Sequence, residues 1–98
     1  MSLTEKQKRH LRRLGHELEP VVMTGGAGLT PGLLAELDST LAHHELVKVR
    51  VRAGDRDGRD DMIRALCEAS GAELIQRIGH VALFWRPNPE RRRIILPK

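Results

Sequence analysis

Residues 20–31 read PVVMTGGAGLTP and hold the strongest local signals in the chain. Val21 to Met23 form a short apolar run, which predicts a buried first strand. Gly25 to Gly28 supply the most permissive backbone in the sequence. Thr30 followed by Pro31 predicts a helix start, because a hydroxyl caps the first turn and proline suits the first helical position. This stretch therefore predicts a strand, a tight turn and the first turn of a helix.

A helix is predicted before this stretch. Ser2 with Glu5 and Thr4 with Gln7 both have the capping-box spacing, so the helix is expected to begin at Ser2 or Thr4 and to extend to about Gly15. Leucines at three- and four-residue intervals predict its buried side, and at 100° per residue five basic residues fall within about 120° of one another opposite them. The leucines are Leu11, Leu14 and Leu18, and the basic residues are Lys6, Arg9, Arg12, Arg13 and His16.

Two elements are predicted immediately after it. The helix that starts at Thr30 is expected to stop near His43 and His44, with Leu33, Leu34, Leu37 and Leu41 on its core side. Residues 45–52 alternate strictly between apolar and basic side chains, which predicts a half-buried strand. Its inner face carries Val47, Val49 and Val51, and its outer face carries Lys48, Arg50 and Arg52.

The remaining elements complete the fold. After a loop over residues 53–58, a third helix is predicted with Met62, Ile63, Leu66 and Cys67 inward and Gly71 as its C-terminal cap. Residues 73–78 and 81–85 form two strands joined by Gly79-His80, a hairpin signal. The order α-β-α-β-α-β-β predicts an α/β domain with one mixed four-stranded sheet, strands 1 to 3 parallel and strand 4 antiparallel to strand 3.

Length and composition indicate one domain over residues 1–98, with a basic tail from about residue 87. The 98 residues are 40% hydrophobic and 31% charged, the mixture of a soluble globular protein. No apolar run is long enough to span a membrane, and the early charges do not suit a signal peptide. A single cysteine, Cys67, fits a reducing compartment. We therefore expect a cytoplasmic protein, and a monomer.

The basic residues are placed unevenly. Seventeen Lys and Arg against thirteen Asp and Glu give a net charge of +4. The first sixteen and the last thirteen residues each hold five Lys or Arg against one acid, whereas Asp55, Asp57, Asp60 and Asp61 collect in the middle. Clustered basic residues at a pI near 10.0 indicate a polyanionic partner.

The glycine loop, Gly25 to Gly28, has two readings. A G-x-x-G loop before a helix N-terminus lets a sugar-phosphate backbone approach closely, and KH domains bind nucleotides with a loop of this pattern. The other reading is a turn that needs positive φ. Leu29-Thr30 replaces the Lys-Ser/Thr ending of a triphosphate-binding P-loop, and the spacing is not that of a dinucleotide fingerprint.

Aromatic residues are scarce, which bears on how a nucleic acid would be recognised. Phe84 and Trp85 are the only two, and Trp85 is expected to pack in the core. Without a stacking platform, recognition should depend on phosphate and shape.

Catalytic and metal sites are not indicated. His43-His44-Glu45 lacks the i, i+4 histidine pair of a zinc helix, and Cys67 has no second thiol nearby. Residues 55–58 resemble half of a calcium loop, but Ala53 and Arg64 would stand at its acidic ligand positions. We expect no enzyme, no metal and no cofactor.

Several separated blocks resemble the CRM domain, and more closely the bacterial single-domain YhbY-like proteins. They are residues 3–8, 20–22, 25–30, 43–49 and 78–87. The resemblance implies a fold similar to the C-terminal domain of translation initiation factor three, RNA binding, and association with precursors of the large ribosomal subunit. The middle of the family's G-x-x-G loop falls on Gly26 and Ala27, which offer no polar side chain, so backbone clamping is the role expected of it.

The RNA-binding residues predicted from the sequence lie in three groups. They are Gly25, Gly26, Ala27, Gly28 and Thr30 at the loop; Lys6, Arg9, Arg12, Arg13 and His16 on helix 1; and Lys48, Arg50, Arg52 and Arg86 on or beside the strands. Two alternatives stay open: a protein-interaction module that docks its basic faces on an acidic partner, and an enzyme acting on RNA.

Overall fold

A computed structural model describes residues 3–25, 28–52 and 54–98 of the protein. Three helices and four strands follow one another in the predicted order. They are α1 (Glu5–His16), β1 (Val22–Met23), α2 (Pro31–His44), β2 (Leu46–Arg50), α3 (Arg56–Ser70), β3 (Glu73–Ile78) and β4 (Val81–Trp85). None of the helices in these ranges is long and apolar enough to cross a bilayer.

The four strands form one sheet in the order β1-β2-β4-β3. β1 is parallel to β2, and β4 is antiparallel to both β2 and β3, so the predicted strand directions are confirmed. The last strand of the chain therefore lies inside the sheet. The carboxyl ends of β1, β2 and β3 and the start of β4 all lie at one edge, which we call the loop edge.

The predicted helix starts are observed with their capping hydrogen bonds. Thr4 caps α1: its hydroxyl accepts a hydrogen bond from the backbone N–H of Gln7, and the Gln7 side chain accepts one from the N–H of Thr4. Ser2, the other predicted start, lies outside the described residues. Thr30 caps α2, accepting a hydrogen bond from the N–H of Leu33 at 3.1 Å. These caps satisfy helix N–H groups that would otherwise lack a partner.

The third helix begins earlier than predicted. The stretch expected to be a loop up to Gly58 contains the first turn of α3, which starts at Arg56. The carboxylate of Asp55 caps it by accepting a hydrogen bond from the N–H of Gly58 at 2.7 Å. Acidic residues suit this position because the helix N-terminus is partly positive. Asp57, Asp60 and Asp61 are therefore helical, and Gly71 caps the other end as predicted.

The prediction that the first strand is buried is wrong for two of its three residues. Val22 is 1% exposed, but Val21 and Met23 are 59% and 56% exposed. β1 is an edge strand, and alternate side chains of a strand point to opposite faces. Only Val22 reaches the core under α2.

Two hydrophobic clusters lie on the two faces of the sheet. The first joins α2 and α3 to the inner side chains of β2 and β4, including Leu37, Val49, Leu66 and Phe84. The second lies under α1, around Leu11, Leu46, Leu83 and Trp85, with Ile94 and Leu96 of the C-terminal tail packed against it. The sheet is thus covered by two helices on one face and by one helix and the tail on the other.

Glu45 is not the first residue of the second strand, as the alternation predicted. It is the C-terminal cap of α2, with φ 64°, and its side chain is fully buried. The β2 ladder begins only at Leu46 and ends at Arg50. A residue with positive φ ends a helix by reversing the chain direction, so Glu45 turns the chain from α2 into the sheet.

The buried carboxylate of Glu45 holds the C-terminal tail. One oxygen accepts a hydrogen bond from the N–H of Asn88 at 2.7 Å, and the other accepts from Arg93 and Ile94 at 2.6 and 2.8 Å. Burial by itself would raise the pKa of Glu45. The three N–H donors and the charge of Arg92 outweigh it, so the pKa is lowered from its ordinary value of 4.5.

We expect Glu45→Gln to lower the free energy of unfolding by about 2–3 kcal/mol at pH 7, because an amide nitrogen cannot accept from the tail N–H groups. Chemical denaturation measures this. The exposed Glu36 on the same helix is the control, and Glu36→Gln should change stability by less than about 0.5 kcal/mol.

The stabilisation by Glu45 should also depend on pH. Because the pKa of Glu45 is lowered in the folded state, its contribution to the free energy of unfolding is complete above pH 4.5 and is lost as the pH falls below that value. An equal difference between wild type and Glu45→Gln at pH 7 and pH 3 would contradict this role.

Candidate nucleic-acid interface

An open groove lies on the α1 face of the sheet, beside the end of α1. It has a volume of about 270 Å³. Lys48, Arg50 and His16 line it with positive or protonatable groups, and Ile78, Val81 and Leu83 form an apolar floor. No acidic residue lines it among the described parts of the chain. We call it the sheet groove.

The alternation predicted for the second strand is observed and places basic side chains beside this groove. Val47, Val49 and Val51 are at most 2% exposed and face α2 and α3. Lys48 therefore points to the other face, where it is half-buried beside the groove, and Arg50 and Arg52 are exposed. That face is not wholly solvent, because Leu46 on the same side is buried in the second cluster.

Helix 1 reaches the groove because Gly15 lets it lie close to the sheet. A Cβ atom at Gly15 would stand 2.6 Å from a methyl carbon of Leu83. The next residue, His16, lines the groove. Lys8, Arg12 and His16 are spaced by four residues and so form one row along the helix. Arg9, Arg13 and Lys6 are exposed farther around it, as predicted.

The opposite side of helix 1 has a different character. A second cleft there is lined by Leu14, Leu18 and Val21, together with Glu17 and Glu19. Lys48 and His44 also line this cleft, but the carboxylates of Glu17 and Glu19 make it less favourable for a polyanion than the sheet groove. Of these two clefts, the sheet groove is therefore the better fit for a phosphate-bearing partner.

The glycine loop begins where the first two strands stop pairing. The N–H of Thr24 donates to the carbonyl of Arg50 at 3.0 Å, and the buried Thr24 hydroxyl accepts a hydrogen bond from the N–H of Arg52 at 2.7 Å. The N–H of Gly28 donates to the carbonyl of Gly25 at 3.2 Å, which closes a turn. Gly26 and Ala27 lie outside the described residues. The loop thus starts beside the basic end of β2, at the loop edge.

The two outer glycines of this loop have different structural requirements. Gly28 has φ 74°, and a Cβ there would meet the Met62 side chain of α3 at 3.4 Å. Gly25 has no positive φ, and a Cβ there would meet no atom of the described residues within 4 Å. The turn explains Gly28. The turn does not require glycine at position 25, where the absence of a side chain leaves open space at the surface.

Helix 2 presents its N-terminus next to this space. Pro31 has no N–H, and the N–H of Leu33 is used by the Thr30 cap. The N–H of Gly32 finds no acceptor among the described residues, and a Cβ at Gly32 would meet only the Thr30 hydroxyl at 4.0 Å. A second glycine without a steric reason thus leaves the positive end of α2 uncovered.

Arg86 stands apart from these residues. Its guanidinium is ion-paired with Asp38 at 2.7 Å and also donates to the carbonyls of Ser70 and Asp38. It follows β4 at the end of the sheet opposite the loop edge. Arg86 ties α2 and α3 to the sheet, and we do not include it in the interface.

No group of three His, Cys, Asp or Glu side chains that could hold a metal occurs within the described residues. Cys67 is half-buried, and burial together with Glu73 raises its thiol pKa, which favours the unreactive thiol.

Comparison with known proteins assigns the chain to a family. The model of the CRS1 / YhbY (CRM) domain matches residues 3–86. The chain belongs to the CRM family. The fold is shared with a hypothetical Staphylococcus aureus protein described as an RNA-binding candidate, whose solution structure matches with a TM-score of 0.82 at 36% identity, over 98% of this chain and 100% of that one.

Relatives of this CRM domain carry RNA-binding names. A Haemophilus influenzae protein named "RNA-binding protein" is 45% identical over 99% of this chain and 97% of its own length. A Bacillus subtilis protein named "Probable RNA-binding protein" is 33% identical over 97% of this chain and 99% of its own. The family resemblance inferred from the sequence blocks is confirmed.

Sequence reasoning missed two features of this CRM domain. One is Glu45, whose place in an alternating run concealed its role as a cap. The other is a set of arginines at the start of α3 and the end of β3, Arg56, Arg59 and Arg77, which line one depression. The sequence predicted a loop over residues 53–58, so Arg56 was not assigned to α3. The spacing of Arg56 and Arg59 on one helix was therefore not recognised.

We expect Gly25→Ala and Gly28→Ala to differ in stability. Gly28→Ala should lose about 1–2 kcal/mol because alanine disfavours positive φ. Gly25→Ala should be neutral or stabilising by up to about 1 kcal/mol, because the added methyl meets open space and restricts the unfolded chain. Urea denaturation of both variants measures the difference. Equal destabilisation would show that Gly25 serves the fold.

Proposed function

We propose that this CRM-family protein binds the sugar-phosphate backbone of RNA across the sheet groove and the glycine loop. The observation that carries the proposal is convergence: Lys48 and Arg50 of β2 and His16 of α1 line one groove that has no acidic residue among the described ones, and the glycine loop opens at the same sheet edge. Elements from separate parts of the chain thus present positive charge to a single ligand.

The groove suits a phosphate backbone better than free bases. Lys48 and Arg50 supply charge for phosphates, while the apolar floor of Ile78, Val81 and Leu83 can accept the less polar sugar edges. Both aromatic residues are in the core, with Phe84 0% and Trp85 4% exposed. They cannot stack on bases, so we infer recognition by charge and shape.

The glycine loop is proposed to hold RNA by its backbone. The absence of side chains at Gly25 and Gly32 is not required by the turn or by the helix, but it lets a phosphate come close to the N-terminus of α2. There the helix dipole and the N–H of Gly32 favour an anion. Thr30 contributes by fixing the first turn of that helix.

We further propose that the RNA is ribosomal and that the protein associates with precursors of the large subunit, as a cytoplasmic monomer without catalytic activity. The names of the relatives support RNA as the partner, and the choice of ribosomal RNA rests on the resemblance to single-domain YhbY-like proteins. An interface of cations without a nucleophile or metal cluster in the described residues fits binding rather than turnover.

Replacing Lys48, Arg50 and Arg52 together by Glu should weaken binding to a structured rRNA fragment at least about tenfold. The wild type should show a log-log salt slope of about −3 to −5, corresponding to about five phosphate contacts. Fluorescence anisotropy across a salt series measures both quantities, and thermal unfolding checks that the variant is folded.

A matched pair of single substitutions controls for net charge. Arg50→Glu should weaken binding clearly, whereas Arg64→Glu, at an exposed site on α3, should have a smaller effect. A wild-type slope near zero, or retention on an acidic protein but not on RNA, would favour the protein-interaction alternative.

Gly25→Asp tests the clamp. The added carboxylate lies where a phosphate is expected, and the fold has room for it. We expect RNA affinity to fall by about tenfold or more, with loss of co-sedimentation with large-subunit precursors. Ala35→Asp on the exposed side of α2 adds the same charge and should retain both. Normal binding by a folded Gly25→Asp variant would rule out the clamp.

A further inference from the structure

Three arginines line a depression of about 400 Å³ at the loop edge, separate from the sheet groove. Arg56 and Arg59 come from the first turn of α3, Arg77 comes from the end of β3, and Gly79 of the hairpin completes the lining. Two elements distant in sequence thus direct guanidinium groups into one space.

The nearby acids neutralise only part of this cluster. Asp60 is ion-paired with Arg77, and the carboxylate of Asp55 accepts the capping hydrogen bond of α3. At 100° per residue, Asp57 and Asp61 lie roughly 160° from Arg59 around the helix. Two of the three arginines, Arg56 and Arg59, make no ion pair within the described residues, so the depression presents positive charge, which suits an anion.

Arg59 has a buried donor without a partner. Its Nε atom is inaccessible to solvent and has no hydrogen-bond acceptor among the described residues. Buried donors are almost always paired, and this exception means that no acceptor of the described residues takes up the Arg59 Nε–H. Arginine can also bind a phosphate through its terminal Nη–H groups, and this contact does not require the enclosed Nε atom. Arg56 is exposed and makes no ion pair within the described residues, so it is also available.

The cluster lies on a path that starts at the glycine loop. Met62 of α3 contacts the space above Gly28, and Arg59 is one turn before Met62. The glycine loop follows β1, and the hairpin joins β3 and β4, so the loop and Arg77 are separated by three strand spacings, about 14 Å. A nucleic-acid strand spans this distance within a few nucleotides.

We propose that Arg56, Arg59 and Arg77 form a second site for a phosphate group of the RNA backbone, so that one RNA strand crosses the loop edge from the glycine loop to the hairpin. This inference rests on the proposed function, since it takes the same ligand. It adds a site on α3 and β3 that the basic faces of α1 and β2 do not include.

Arg56→Gln and Arg59→Gln test the site, with Arg64→Gln as the matched control. Arg64 lies on the same helix, is paired with Asp61, and has a side chain that is 69% exposed. We expect each cluster variant to weaken binding of the rRNA fragment by about fivefold or more and to reduce the salt slope by about 1. Arg64→Gln should stay within about twofold of wild type. Arg56→Gln is the safer variant for folding, because the Arg56 side chain is exposed.

Failure of this site and failure of the proposed function give different results. If the wild type binds RNA and Gly25→Asp abolishes binding while Arg56→Gln and Arg59→Gln bind like Arg64→Gln, the second site is wrong and the function stands. If the wild type shows no salt-dependent RNA binding, both are wrong.

The side-chain Nε–H resonance of the exposed Arg56 distinguishes an RNA phosphate from a free one. We expect it to shift on titration with a stoichiometric amount of a short RNA, and to respond to inorganic phosphate only at far higher concentration. An equal response to both at equal phosphate concentration would assign the site to free phosphate. No response to RNA would overturn the proposal.

Discussion

The structure depends on one buried charge. The carboxylate of Glu45 accepts three backbone hydrogen bonds from residues 88–94, and a buried carboxylate is tolerated only when it is hydrogen-bonded in this way. The same residue ends α2 and turns the chain into β2. It therefore fixes the path of the tail relative to the sheet. The path of the tail places Ile94 and Leu96 against the hydrophobic cluster on which α1 packs.

This arrangement determines how much of the sheet stays open. Helix 1 and the tail cover the end of the sheet near Leu46 and Trp85, but not the end near Arg50 and Val81. Gly15 brings the last turn of α1 onto Leu83, so His16 lies at the border of the open part. The half-burial of Lys48 follows from this partial cover. A charge beside apolar surface is less screened by water than one on an open face, which increases its effect on a phosphate.

The topology gathers the candidate binding features at one edge. Because β4 inserts between β2 and β3, the glycine loop, the start of α3 and the hairpin are neighbours although they are separated by tens of residues in the chain. Ligands of open α/β sheets commonly bind outside the carboxyl ends of the strands, where helix N-termini also point. The proposed RNA path follows this rule, with charge supplied by strand and helix arginines and close approach permitted by glycine.

The sequence by itself determined the local structure, because caps, turns and side-chain alternation depend on neighbours a few residues away. Thr4 with Gln7, Thr30 with Pro31, Gly71, the Gly79-His80 turn and the Val47 to Arg52 alternation were all predictable for this reason. The tertiary structure decided what depends on contacts between distant residues. Glu45 caps α2 instead of pairing in the strand, and its carboxylate accepts three N–H groups of the tail. Arg86 is paired with Asp38 and donates to the carbonyl of Ser70. Arg59 and Arg77 line one depression only because of the strand order. Spacing along the chain carries no information about such pairings, since the sheet order and the path of the tail create them.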